Sequence, residues 1–544
     1  MGHITQSSEA EPVQPAGETR RSYSLVKALI ISALLAPGAS LAASLFSVVV
    51  MSILRLAAGI PTPVELFADF YLKHINVHTF IGLLNEFFPN SKTAPLGLAL
   101  LGMIGIGTAL GLLYAALAWV KLPASGYRPG RREWFVAYCF ISAMTLLGII
   151  LFWDELRQNL FGFTIMWARF ITALGLLVDF SVYGVTLCLA YRALLPKRPA
   201  AGVAPAVQGR RQLLSRVGVA ALSVGSGLGT LGAVRNYLDR YAAYDGLQTP
   251  LHNNATAPIT TNDEHYVVTQ NTLDPTPNVD VWRLEVTGLV VQEGTLTYAQ
   301  LQQLPSTSRA ITLECISNGV GSHLMSTAVW QGVTLNTLLD KHGGAMPNAR
   351  YIAFHSVDGY TSCLPFNEVL AADPLFAWRM NGAQLPQRHG FPLRVLIPGR
   401  YGEESPKWLT RVELTNHFVS GIYASQGWYY GQLHTTSRID RPNGPVRRGQ
   451  PVEVGGIAFA GNRGIQMVEV STDDGMTWQQ AQLKPTLSPD AWVLWTWQWT
   501  PAQLGTYTLV VRATDGTGET QTSQVQRTVP DGATGYHKVT VQVV

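Results

Sequence analysis

Cysteine is scarce: Cys139, Cys188, Cys315 and Cys363 are the four thiols in 544 residues. No two form a C-x-x-C pair, so an iron–sulfur cluster or a structural zinc site has no ligand set to use. A disulfide framework is not suggested either, because a domain of this size builds its own core. Charge is sparse as well. Charged residues make up 14% of the chain, the formal net charge is +4, and the basic residues are dispersed. That excludes the basic stripe of a nucleic-acid-binding protein. Histidine is missing from every long apolar stretch, which leaves a membrane-embedded b-type haem without axial ligands.

Long apolar runs are what the chain does have, and they are confined to its first 240 residues. Four can cross a bilayer as helices at about 20 residues per crossing: 25–54 (interrupted by Pro37), 94–120, 134–153 and 170–191. A fifth, weaker and glycine-rich, runs from Val217 to about Val234. With the N-terminus inside, thirteen Lys and Arg fall on inside segments and five on outside ones. The positive-inside bias then gives a cytoplasmic tail over 1–24 and a four-helix transmembrane region over 25–198. Residues 199–240 are a linker and fifth membrane segment, and everything beyond lies outside. In that linker Gly209-Arg210-Arg211-Gln212-Leu213-Leu214 looks like a twin-arginine export signal, a route for folded proteins; the positive-inside bias alone is the other explanation. Asp179, inside the fourth crossing, reads as a neutral hydrogen-bonded packing residue, with a proton or quinone role as the alternative. His74 and His78 lie i, i+4 on an amphipathic stretch, which predicts an interfacial helix rather than a metal site. The membrane half reads as an anchor or docking platform.

From about residue 245 the pattern changes to short strands and turns. "VDVWRLEVTGLV" alternates as a strand does, "LTYAQLQQLP" reads as a short helix, and "AITLECISN" carries a strand into a loop beginning at Cys315. Taken alone, such a cysteine is usually a small core residue, and Cys363 in "DGYTSCLPF" is read that way.

The wider context of Cys315 changes its reading. Thr312-Leu313-Glu314-Cys315-Ile316-Ser317-Asn318, Trp330-Gln331-Gly332-Val333, Asp358-Gly359-Tyr360 and Met380-Asn381-Gly382 follow in order. His389-Gly390-Phe391-Pro392-Leu393-Arg394, Pro398-Gly399-Arg400-Tyr401-Gly402 and Lys407-Trp408-Leu409 complete the set, and Thr261 to Val268 resembles its entry strand. Together these resemble the molybdopterin-binding domain of the sulfite oxidase family. The resemblance implies an α+β catalytic domain over 241–441 and a molybdenum cofactor with a single pterin. It makes Cys315 the protein thiolate on the metal, a soft ligand suited to it. It gives the pterin and its phosphate to His389, Arg394, Arg400 and Lys407, with Asn262 and His265 as further contacts. His323 and Arg283 remain as substrate-side candidates. The chain departs from the pattern at Glu404, where many members carry Lys. It also departs at Val268 and Gly319 to Ser322, where sulfite oxidases proper carry arginines. Sulfite is a dianion and needs such cations.

Residues 442–544 show short alternating strands with Gly, Pro and Asp turns, the pattern of an all-β sandwich. Gly461 to Trp478 resembles the immunoglobulin-like domain that follows the molybdenum domain in this family, so a homodimer is implied by resemblance. Trp495, Trp497 and Trp499 share one strand face and Trp492 points the other way. The whole reads as a multi-domain, membrane-anchored oxidoreductase transferring oxygen atoms on the outer face of a prokaryotic cytoplasmic membrane. Its substrate would be a small sulfur oxyanion or sulfoxide. Without haem, iron–sulfur or zinc ligands, a separate cytochrome or quinone-linked electron partner is required. A non-enzymatic docking or adhesion protein built on the sandwich is the alternative.

Overall fold

The computed structural model describes residues 24–76, 79, 82, 93–198, 205–241, 247–269 and 274–544. His78, the tail before residue 24 and linker residues 199–204 lie outside the described residues. The chain divides into two compact units. One comprises Ile104–Phe140, Tyr183–Ser226 and the described residues up to Phe46; the other comprises Ser47–Met103, Ile141–Val182 and Gly227–Val544.

The N-terminal helices are α1 (Leu25–Ala58), α2 (Pro63–His74), α3 (Thr93–Ala118), α4 (Arg131–Leu151), α5 (Ile165–Leu194) and α6 (Pro205–Tyr241). Among the described residues five of them, all but α2, are long and apolar enough to cross a membrane. Contrary to the interruption expected at Pro37, α1 runs straight through it. Losing one ladder bond is tolerable there, because no other backbone arrangement satisfies the remaining groups in an apolar setting. The start of α2 is fixed by a capping box: Glu65 N–H donates to Thr62 Oγ1 at 3.2 Å, and Thr62 N–H to Glu65 Oε2 at 2.8 Å. Within the first unit Arg192 pairs with Glu133 at 3.0 Å, both nearly buried. Within the second, Asp179 accepts from Ser47 Oγ at 2.5 Å, which satisfies a carboxyl in an apolar helix.

The catalytic region is built on two sheets. The first has the order β2 (Gly294–Thr297), β1 (Arg283–Gly288), β10 (Leu409–Thr415), β5 (Tyr351–Ser356), β6 (Thr361–Pro365), with β1 and β10 parallel. The second has β3 (Thr307–Glu314), β4 (Met325–Thr334), β7 (Leu375–Met380) and β8 (Ala383–Gln384), with β9 (Arg394–Leu396) also paired to β7. Gly332 on β4 permits this packing, since a Cβ there would lie 1.9 Å from the Phe376 carbonyl oxygen. The main core gathers Trp282, Phe354, Phe376 and Leu409, all fully buried.

The loop from Glu155 to Gly162, between α4 and α5, is bonded to this catalytic region. Asn159 N–H donates to the Val357 carbonyl at 2.8 Å, and the carbonyls of Leu160 and Phe161 accept from Thr276 and Asn278 at 3.0 and 2.9 Å. The Arg157 guanidinium reaches Thr361 Oγ1 at 3.0 Å, and Gln158 donates to Asp69 of α2 at 2.7 Å. Gly162 is required because a Cβ would lie 2.8 Å from the Trp282 ring.

The C-terminal region is a pair of four-stranded sheets. One has the order β11 (Thr436–Arg441), β12 (Val452–Phe459), β16 (Val493–Trp499), β15 (Gln482–Leu483). The other has β14 (Gln479–Gln480), β13 (Ile465–Ser471), β17 (Gly505–Asp515), β18 (His537–Val543). Trp495, Trp497 and Trp499 pack into the sandwich core. Trp492 turns the other way, toward the catalytic region: its backbone N–H donates to Thr312 Oγ1 and its indole N–H to the Pro258 carbonyl. Trp495 is fully buried, so Trp495→Ala should destabilise the sandwich by about 3–5 kcal/mol, read as a lowered urea midpoint of the β-sheet signal.

Candidate active site

β3 ends at Glu314, and the chain then turns so that Cys315 lies at the wall of a cavity of about 120 Å³. The turn is held by Asn318, whose Nδ2 donates to Glu314 Oε1 at 2.9 Å and whose Oδ1 accepts from Leu324 N–H at 2.9 Å. Cys315 N–H is bonded to the Leu324 carbonyl at 3.0 Å. The thiol is 7% exposed. Burial first, and then the nearby Glu403 carboxylate, push it up to about 12, partly opposed by hydrogen bonds from Ser317.

A second wall is assembled around two imidazoles. Asn381 occupies a left-handed turn (φ 50°); its Oδ1 accepts from Val329 N–H at 2.8 Å, and its Nδ2 donates to Asn262 Oδ1 at 2.9 Å. That orients Asn262 so that its backbone carbonyl accepts from His389 Nε2 at 2.8 Å. His389 is thereby fixed as the Nε2–H tautomer, leaving Nδ1 as an acceptor. His265 bonds the Tyr266 carbonyl through Nδ1 at 3.2 Å, and its buried Nε2 has no partner among the described residues. The two rings lie 5.1 Å apart. Burial pushes His265 down to about 3 and His389 well below the usual histidine range, so both are neutral.

Arg394 is buried beside them, its guanidinium 5.0 Å over the Trp330 ring. It donates to the carbonyls of His389 and Ser405 at 3.1 and 3.3 Å, but its Nε has no partner among the described residues. Lys407 lies 4.3 Å over Trp408 and reaches the carbonyls of Val268 and Arg388. Gly390 (φ 114°) makes the approach possible, since a Cβ there would stand 3.0–3.1 Å from the Lys407 and Arg394 side chains.

Cys315, His265, His389, Arg394 and Lys407 therefore line one cavity. Four further candidates do not. Asn262 acts through its carbonyl on His389. Arg400 is occupied by Glu368, by the Tyr430 carbonyl at 2.9 Å and by Glu404 at 3.7 Å. Arg283 is turned back on the carbonyls of Asp280 and Trp282. His323 lies by Arg438 and Asp440, against the sandwich. The cavity also takes in Tyr266, Asp358, Tyr360, Arg388, Glu403, Tyr423 and Trp428. Several of these sit within the quoted motifs without standing out as site residues. Tyr423 and Trp428 carried no signal: they come from a four-residue helix, Ile422–Ser425, and the turn after it.

The architecture defines a class of cavity: neutral imidazoles beside buried cations, with a single thiol at its edge, a set of side chains that fits a polar, anionic group. Comparison with known proteins identifies which. Residues 272–423 match the oxidoreductase molybdopterin binding domain, and residues 432–544 match the Mo-co oxidoreductase dimerisation domain. Mitochondrial sulfite oxidase of Mus musculus is 29% identical over 326 residues, covering 50% of this chain and 59% of that protein. Inducible nitrate reductase (NADH) 1 of Glycine max is 28% identical, covering 45% of this chain and 35% of that protein. The solved structure of sulfane dehydrogenase SoxCD from Paracoccus pantotrophus aligns with a TM-score of 0.49 at 23% identity, over 53% of this chain and 82% of that chain. Over residues 272–544 the chain is a member of the sulfite oxidase family of molybdopterin-dependent oxidoreductases. It spans about three fifths of the mouse relative's length.

The depressed His265 has a measurable consequence. Its folded value of about 3 lies below the ordinary 6.5, so between those pH values the unfolded chain holds a proton that the folded chain does not. Its contribution is full above pH 6.5 and is lost as pH falls toward 3. The buried Glu314 and Glu403, pushed up to about 7 and about 8, act in the opposite sense as pH rises. His265→Gln should therefore narrow its stability deficit against wild type as pH is lowered from 6.5. A deficit independent of pH, measured by urea unfolding across that range, would contradict the assignment.

Proposed function

We propose that the chain performs two-electron oxygen-atom transfer at a mononuclear molybdenum carried by one pterin. The carrying observation is the coincidence, on one cavity, of a lone buried thiol with the unpartnered His265 Nε2 and Arg394 Nε. A buried polar atom without a partner costs on the order of 1–3 kcal/mol. Such atoms persist where a ligand completes them. The donor set fits the cofactor: neutral imidazole acceptors suit the N–H groups of a pterin, and Arg394, Lys407 and Arg388 suit its phosphate.

When bound, the molybdenum–pterin group supplies the redox and oxygen-transfer chemistry. The chain's own residues hold and enclose it. Cys315 is the residue that would ligate the metal; burial keeps its thiol protonated on its own, and it would give up that proton on coordination. His265 and His389 accept from the pterin ring, each fixed in its tautomer by a backbone carbonyl. Arg394 holds negative charge while stacked on Trp330. The reaction runs in either direction according to the electron partner, which is a separate cytochrome or quinone-linked protein. The matched dimerisation domain supports a homodimer.

The five apolar helices and the asymmetry of the basic residues support an anchor in a prokaryotic cytoplasmic membrane, with the catalytic region outside. Val525, 84% exposed, gives a handle: in intact cells Val525→Cys should react with a membrane-impermeant maleimide. Labelling only after lysis would reverse the orientation.

The cofactor reading is tested by metal and pterin analysis of the full-length chain from a host that makes the cofactor. One molybdenum and one pterin per chain are expected, to order of magnitude. Cys315→Ser should keep the pterin and change the metal's absorption. A folded wild-type chain free of both would defeat the proposal.

A further inference from the structure

The cavity is charged unevenly. Its cations cluster with the imidazoles: Arg394 bonds the His389 carbonyl, and Lys407 bonds the Arg388 carbonyl. On the Cys315 side the cavity wall carries Glu403, with Glu314 next to Cys315 in the chain; both are carboxyl groups that burial disposes toward the neutral form. Glu403 is buried in the cavity wall, and its carboxyl makes no hydrogen bond of ordinary geometry; burial favours its neutral form, opposed in part by its own backbone N–H and that of Ile316. A run of contacts leads on from it. Tyr360 Oη donates to the Glu403 carbonyl at 2.6 Å. Tyr360 lies 5.8 Å from Tyr423, which lies 4.4 Å from Trp428. This side of the cavity is aromatic and acidic, and its acid, charged or neutral, offers an incoming anion no countercharge.

Resting on the reading under Proposed function, we infer that the substrate bound beside Cys315 carries no net negative charge, and that Glu403 sets this preference. An oxyanion such as sulfite or nitrate entering here would be desolvated against a carboxyl group and aromatic faces, which is unfavourable without a cation opposite it. An uncharged oxo compound meets no such penalty. A cationic one gains from Glu403 and from the faces of Tyr360, Tyr423 and Trp428. The small sulfur compounds admitted are thus of the sulfoxide type, and sulfur oxyanions are excluded.

Three nearly isosteric tetrahedral sulfur probes run from dianion to cation as methyl groups replace oxygens: sulfate, dimethyl sulfone and trimethylsulfoxonium; the Glu403 variants separate the part due to charge. Their binding to the full-length, cofactor-loaded chain is measured by calorimetry, which needs no turnover. Dimethyl sulfone and trimethylsulfoxonium are expected to bind at least about tenfold tighter than sulfate. Glu403→Arg should move the sulfate-to-sulfone ratio about 10- to 100-fold toward sulfate. Glu403→Gln, nearly the same shape, should move it in the same direction by less. Both variants should keep the wild-type molybdenum content, and if the arginine variant does not load, the glutamine variant decides. Sulfate binding as tightly as the sulfone, no binding by any probe, or a ratio unmoved in Glu403→Gln would each overturn the inference while leaving the cofactor reading intact. A chain without molybdenum and pterin overturns both.

Discussion

One bare imidazole nitrogen, on His265, and one guanidinium N–H, on Arg394, sealed inside the protein, set the terms for the structure around them. Burial strips each of water and leaves its potential for hydrogen bonding intact. Holding them in place requires a scaffold whose own groups are satisfied elsewhere. Asn381 supplies one such support: from a left-handed turn it clamps Asn262, and Asn262 fixes the His389 tautomer. Trp330 supplies another, its indole N–H committed to the Ile311 carbonyl and its face given to Arg394. The second sheet and its glycines follow from the need to pack these supports closely. Gly332 lets β4 and β7 meet, and Gly390 lets Arg394 and Lys407 approach one another.

Much of the catalytic region was legible because its determinants are local. Strands β1 and β3, the short helix at Tyr298 and the turn at Cys315 follow from alternation and from the residues that break it. The tryptophan phase in β16 also held: Trp495 and Trp499 are buried on one face and Trp492 on the other. The long apolar helices were read from length and composition, but Pro37 was over-read as a break, because a proline's cost depends on what surrounds the helix.

Side-chain destinations were less legible. A cation's use depends on what lies opposite it after folding. Arg400 stands in the same glycine- and proline-rich run as Arg394, yet Glu368 and Glu404 take it up. Arg283 and His323 were candidates by type and position in the chain, and neither reaches the cavity. Tyr423 and Trp428 reach it from a segment whose spacing announces nothing. Glu404 was visible as a departure from a pattern, and it is spent on Arg400; its neighbour Glu403 drew no notice, and its place in the cavity that Cys315 lines is a tertiary fact.

The loop from Glu155 to Gly162 makes three main-chain hydrogen bonds and one part-buried arginine contact with the catalytic region, far from that region in sequence. Covalent continuity through α6 is therefore not the sole attachment. A nick in the chain just after Tyr241 would leave the catalytic region seated on this loop and on α2, held noncovalently. After such a cut, these contacts would be the link between the two resulting chains.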